Sequence, residues 1–218
     1  MHRLQLLLAS LAAVLLPAIV NGFVGPACST AAASCRTSSS PRMSAATTEA
    51  FTPLPENAAQ IGVGDKIPSG TTVKIQGPDG SVAADVTELF KGKKVVLFGV
   101  PGAFTPTCSN NHLPGYVTHI DELKAKGVDT VACVSVNDIF VMKAWGESQS
   151  VSAKVVMLAD GNGELSAALG LLTDKSGAGM GRRCKRFAMV VNDNVVKHIA
   201  VDTKGLQDSS AEAILDKL

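Results

Sequence analysis

A strong charge of either sign is missing from this chain. Its 218 residues carry 20 Lys and Arg against 19 Asp and Glu, a formal net charge of +1. That balance offers no basic surface for nucleic acid. Closely spaced cysteine pairs are missing too. No two of Cys28, Cys35, Cys108, Cys133 and Cys184 form a CxxC unit, and the four His are scattered. A zinc site is therefore not expected, nor any other metal or cofactor. An odd, sparse set of cysteines is also not a disulfide framework, which leaves reactive thiols or buried structural ones. No internal repeat is present. With 46% hydrophobic and 18% charged residues, the chain has enough apolar content for one domain with a proper core.

Acid is absent from the first 44 residues, which hold Arg3, Arg36 and Arg42. Without those three arginines the rest of the chain has a net charge of about −2. Residues 1–22 run apolar from Leu4 to Val20, with Pro17 interrupting near the end. The run is short for a spanning helix and reads as a cleavable signal peptide, with a membrane anchor as the weaker alternative. Residues 23–46 are rich in Ser, Thr and Ala and resemble a plastid transit segment. Together they resemble the bipartite leaders of proteins sent to secondary plastids. Secretion is the alternative, but a reactive-thiol enzyme needs reductants found in stroma or cytosol. Residues 47–60 are expected to be a linker and 61–218 the folded domain, with no membrane attachment in the mature form.

The domain alternates strand and helix patterns. Thr72 to Gln76 and Ser81 to Ala84 flank the turn Gly77-Pro78-Asp79-Gly80 and predict a hairpin. Thr87 to Phe90 suggests a short helix. Lys94 to Val100 and Asp129 to Val136 are apolar runs typical of strands buried on both faces. Between them a helical pattern runs to Lys126, with Pro114 set to kink or restart it and Gly127 as its C-cap. Asp138 opens a helix carrying Ile139, Met142 and Trp145. Val155 to Ala159 is another strand, Glu164 to Leu169 a short helix, and Lys175 to Gly181 a Gly-rich loop. Phe187 to Val191 and Val195 to Val201 predict a second hairpin. Ser209-Ser210-Ala211-Glu212 reads as a capping box for a last helix reaching Leu218. The alternation argues for a three-layer α/β domain.

One cysteine stands out. Cys108 follows Pro101-Gly102-Ala103-Phe104-Thr105-Pro106-Thr107, between a buried strand and a helix. At a helix start, unpaired N–H groups and the dipole favour an anion, and a thiolate is that anion. The competing reading is a small buried hydrophobe.

The pattern Pro-x-x-x-Thr-x-x-Cys resembles the active-site signature of peroxiredoxins. The run from Val100 through Gly115 is similar to the atypical type II branch. So are Cys-Val-Ser-Val-Asn-Asp at 133–138, Lys-Ala-Trp-Gly at 143–146 and Lys-Arg-Phe-Ala-Met-Val-Val at 185–191. The resemblance covers the body from about Ile61 to Leu218 and implies a thioredoxin-like fold, a central mixed β-sheet flanked by helices. It implies reduction of hydrogen peroxide and organic hydroperoxides through a sulfenic acid at Cys108. Thr105 would bond thiolate and substrate together, Arg186 would supply a fork of charged donors, and Pro101 would shield the thiolate. Arg182 and Arg183 read as solvated loop charges. His112 reads as structural, and His119 and His198 as surface or packing residues. Trp145 reads as core.

The resemblance also bears on turnover. Plant-like type II members carry a cysteine at the position of Cys133, which is the resolving candidate here. Its place in a buried strand makes a core cysteine nearly as good a reading. The C-terminal resolving cysteine of the animal-like branch is missing, since Gly205-Leu206-Gln207-Asp208-Ser209 holds none. Glutaredoxin with glutathione, or thioredoxin, is the implied reductant. Cys184, beside Arg183 and Lys185, is a candidate for glutathionylation. A monomer or weak homodimer is implied. A peroxide sensor or redox relay, passing oxidation to a partner protein, is the alternative function.

Overall fold

Apolar runs in the middle of the chain become the centre of a sheet. In the computed structural model, which describes residues 56–151 and 153–218, β3 (Lys94–Gly99), β4 (Thr130–Ser135) and β5 (Val156–Ala159) pair in parallel. The leader segments expected at 1–22 and 23–46 lie outside the described residues. The first hairpin forms as β1 (Thr72–Gly77) and β2 (Gly80–Asp85), and β1 pairs antiparallel with β5. The second forms as β8 (Arg186–Asn192) and β9 (Val195–Asp202), with β8 antiparallel to β3. The seven-stranded mixed sheet has the order β2-β1-β5-β4-β3-β8-β9.

Strand alternation divides the core into two layers. Val96, Phe98 and Val100 join Val131, Cys133, Ala188 and Val190 on one face. Helices α2 (Leu113–Thr118), α3 (Ile120–Ala125), α4 (Ile139–Ser148) and α6 (Ala211–Leu215) cover it. Val95, Leu97, Ala132, Val134, Phe187 and Met189 face the other layer, under α1 (Val86–Phe90) and α5 (Glu164–Ala168). The expected α/β domain with flanked mixed sheet is therefore what forms.

Several local readings need correction. The long helix before β4 is three pieces: a π-turn at Cys108–His112, then α2, then α3 after a joint at His119. Leu113 N–H bonds back to the Cys108 carbonyl, five residues away. Pro114 has no N–H to donate to Asn110, so it tolerates this wider register. The Gly-rich loop lies between two unforeseen short strands, β6 (Leu172–Asp174) and β7 (Arg182–Cys184), which pair in a separate two-stranded sheet. Ser210 rather than Ser209 caps the last helix, accepting from Ala213 N–H, and α6 stops at Leu215. Beside these corrections, the end of the expected linker touches the domain: Asn57 exchanges two hydrogen bonds with Leu172 and Ala58 donates to the Ala167 carbonyl. Among the described residues no helix is long and apolar enough to cross a membrane.

Gly99 closes β3 opposite Phe187, whose ring is fully buried. A Cβ there would overlap that ring. Gly99→Ala is expected to lose about 1–3 kcal/mol by overpacking, read as a lower urea midpoint at unchanged slope.

Candidate active site

The chain leaves the sheet at Val100, whose N–H bonds to the Val134 carbonyl at 3.0 Å. The loop from Pro101 to Thr107 is then strapped to the end of β4. Asn137 Oδ1 accepts from Ala103 N–H at 3.0 Å, and Ser135 Oγ lies within reach of both Asn137 Oδ1 and the Val100 carbonyl. Arg183 adds a strut: its Nη1 donates to the Val136 carbonyl at 3.1 Å and its Nε to Met180 at 2.8 Å. It is half-buried, not a solvated loop charge, because its guanidinium is spent on those two backbone carbonyls. Phe104 sits exposed at φ 60°, a conformation costly for an aromatic residue, so this loop carries strain beside the thiol.

Cys108 opens the π-turn and is fully buried. Arg186 begins β8, the strand next to β3, and its guanidinium reaches back across the sheet end. Nη2 donates to Cys108 Sγ at 3.5 Å, and Nη1 donates to His112 Nδ1 at 3.0 Å. The fork thus bridges both ends of the π-turn.

The His112 tautomer follows from its partners. The Ser209 carbonyl can only accept, so Nε2, at 2.9 Å, carries the proton. Arg186 can only donate, so Nδ1 is bare. Burial pushes the imidazole down to about 4, the Arg186 charge adds to that, and the Ser209 hydrogen bond opposes it. Tyr116 Oη also donates to the Ser209 carbonyl at 2.9 Å. Asp202 fixes that carbonyl in turn, accepting from the N–H groups of Gln207 and Asp208 and from the Ser209 hydroxyl. Phe98 stacks on Tyr116 at 4.0 Å and tilts against His112. His112 is structural as expected, but what it structures is the arginine.

The other expected residues divide. Pro101 is half-buried and lines a groove with Thr107 and Arg186. The Thr105 hydroxyl donates to the Gly102 carbonyl at 2.9 Å, and no hydrogen bond joins it to Cys108. Its proton is spent, so its oxygen faces a substrate only as an acceptor. Cys133 lies mid-strand, paired with Phe98 and Met157, in the same layer as Cys108. Burial pushes its thiol well above the ordinary range. Cys184 is on the opposite layer, fully buried, with its sulfur against the Val100 and Lys185 carbonyls. Burial raises its thiol too, so glutathionylation there is not supported by its exposure. Trp145 is core, and its Nε1–H bonds Ser109 Oγ at 3.0 Å, holding the π-turn. His119 bridges Glu122 and Glu212 at the surface.

Asp202, Ser209 and Tyr116 were invisible as site residues in the sequence. Asp202 and Ser209 lie far from Cys108 along the chain, Tyr116 reads as a core residue of the following helix, and only Ser209's place before a helix carried any signal.

A thiol at a strand-to-helix turn, gripped by an arginine at a thioredoxin-like sheet end, defines a thiol-redox protein. Residues 62–215 match the Redoxin family model. The chain is 45% identical over 178 residues to chloroplastic peroxiredoxin-2E of Arabidopsis thaliana, covering 79% of this chain and 75% of that one. It superposes on reduced Prx3 of Vibrio vulnificus in complex with H2O2 with a TM-score of 0.69 and 51% identity, covering 72% and 98%. For peroxiredoxin 5 of Alvinella pompejana the TM-score is 0.64 and the identity 38%, covering 72% and 97%. The chain belongs to the Redoxin family and, within it, to the type II peroxiredoxins. It is a thiol-dependent peroxidase.

The lowered His112 value has a consequence for stability. Between about 4 and the ordinary 6.5 the unfolded chain binds a proton that the folded chain refuses. Stability is therefore complete above pH 6.5 and falls as pH drops toward 4, by about 3 kcal/mol from this group. Urea unfolding across that range is expected to show the slope in wild type and lose it in His112→Gln. The same variant is expected to slow the reaction with peroxide by roughly tenfold or more in stopped flow, the cost of one misdirected charged hydrogen bond.

Proposed function

We propose that Cys108 is the peroxide-attacking thiolate and that Arg186, Thr105 and Pro101 form its catalytic surround. The observation that carries this is the Arg186 fork, with one nitrogen on the Cys108 sulfur at 3.5 Å. The thiolate attacks one peroxide oxygen. An S–O bond forms as the O–O bond breaks, sulfur loses two electrons, and the other oxygen leaves as water or alcohol after taking a proton. Negative charge spreads from sulfur over both oxygens, where a guanidinium that never loses its charge is most useful. Thr105, its proton on Gly102, accepts from the peroxide O–H and orients it; this replaces the expected bond to the thiolate. Pro101 keeps water from the sulfur.

The sulfenic acid then needs a thiol. Cys133 is the only other cysteine described in that layer, but its strand is paired on both sides. A Cys108–Cys133 disulfide needs Cα atoms about 4.4–6.8 Å apart, and with Cys133 held in the sheet it is Cys108 and its π-turn that would move to form it. Attack by an external thiol needs less rearrangement. Glutaredoxin with glutathione is therefore the favoured reductant, with thioredoxin acting where the internal disulfide forms. The Arabidopsis relative is named chloroplastic, and with the leader's composition this supports a plastid location.

Peroxide consumption by wild type, Cys108→Ser and Cys133→Ser, with each reductant supplied separately, tests the reading. Cys108→Ser is expected to be inactive with both. Cys133→Ser is expected to keep glutaredoxin-driven turnover and lose thioredoxin-driven turnover. Full activity in Cys108→Ser sinks the assignment, and loss of both routes in a folded Cys133→Ser makes the internal disulfide obligatory.

A further inference from the structure

The groove beside the thiol carries a charge that the peroxide reaction does not use. It has a volume of about 580 Å3 and is lined by Pro101, Thr107, Lys175, Lys185, Arg186 and Asp202, among others. Arg186 is engaged with Cys108 and His112. Lys175 and Lys185 are not. No ion pair among the described residues involves either of them. Lys185 Nζ has only two long contacts, at 3.4 Å, to Gln60 and the Gly170 carbonyl. The one carboxylate on the wall, Asp202, is turned onto its own loop and saturated by Gln207, Asp208 and Ser209.

The sequence concentrates this charge. From Lys175 to Arg186 there are five cations and no acid, although the chain outside the leader is slightly acidic. The backbone holds Lys175 at the rim. Its N–H donates to the Gly181 carbonyl at 2.7 Å, and its own carbonyl accepts from Ala178 and Met180. A positive rim over a half-apolar groove, with Pro101 and Val201 on its walls, raises the local concentration of anions. Hydrogen peroxide is neutral and gains nothing from such a rim.

We infer that Lys175 and Lys185 form a carboxylate subsite, and that the enzyme favours organic hydroperoxides carrying a carboxylate on an apolar body. The carboxylate stays at the rim and takes no part in the chemistry. The hydroperoxide end reaches Cys108, where the thiolate takes one oxygen and the rest leaves as the hydroxy acid. The inference rests on Cys108 being the peroxidatic thiol.

The test uses cumene hydroperoxide and the same molecule bearing a para-carboxylate, with the oxidation rate of reduced enzyme measured by stopped flow. In wild type at low ionic strength the carboxylate form is expected to react about tenfold faster, an advantage that salt removes. The ratio of the two rates is expected to fall to about one in Lys175→Gln/Lys185→Gln, and part of the way in Lys175→Gln. Reading the ratio cancels any general loss of activity in the double variant, and the exposed single variant guards against misfolding. Equal rates in wild type, or an unchanged ratio in both variants, overturn the subsite. A failure of H2O2 itself to oxidise Cys108 overturns the peroxidase assignment instead, so the two failures are distinct.

Discussion

The guanidinium of Arg186 is the contact on which the site depends. It lies between a sulfur and an imidazole nitrogen, and both must be able to accept. Cys108 meets that condition through its sulfur, and His112 meets it only as the neutral tautomer with its proton on Nε2. The Ser209 carbonyl enforces that tautomer, and Asp202 enforces the Ser209 loop. A protonated His112 would point a donor at a donor. Burial of the imidazole prevents this above about pH 4. One charge, half-buried, is thus kept in register by a buried neutral imidazole and a buried carbonyl, themselves fixed by the half-buried Asp202 carboxylate.

The fold explains why those groups meet. β3 and β8 are neighbours and run antiparallel, so the end of one, at Gly99, lies beside the start of the other, at Phe187. Cys108 follows the first and Arg186 precedes the second. Alternation along the strands then sorts the cysteines. Cys133 falls on the layer of Cys108, while Cys184 falls beneath it on the other side of the sheet. Three thiols close in space are therefore not equivalent. Cys184 lies behind the sheet and serves as a small core residue that braces the Val100 carbonyl.

Much of this was legible from sequence, for physical reasons that can be stated residue by residue. Buried parallel strands such as Val95 to Gly99 announce themselves as apolar runs, and the two hairpins announce themselves through their turns. Pro101, Thr105 and Cys108 share one loop, so their spacing could be recognised. Arg186 could be placed only through resemblance, because its distance from Cys108 is a property of the sheet. The π-turn was not legible, since it differs from an α-turn by one residue of register. The short strands β6 and β7 were not legible either. Three residues are too few to show a period, and they pair only because the loop between them closes on Lys175. The Thr105 hydroxyl bond to Gly102 was not legible because the loop folds Gly102 back under it, a matter of backbone path.

The π-turn also sets the cost of resolving the oxidised enzyme internally. Cys108 and His112 are its first and last residues, and Arg186 holds both. Cys133 is fixed by ladder bonds on each side, so in an internal disulfide it is Cys108, and with it the turn, that has to move. Opening it withdraws the sulfur from Nη2 and the imidazole from Nη1 together, and exposes a cation that was satisfied. It also pulls Ser109 from Trp145, a fully buried side chain that would keep an unpaired N–H. Peroxide attack and internal resolution thus need opposite states of the same five residues. In the proposed cycle, an external thiol that attacks the oxidised sulfur leaves the turn, the tautomer and the arginine fork in place, ready for the next peroxide.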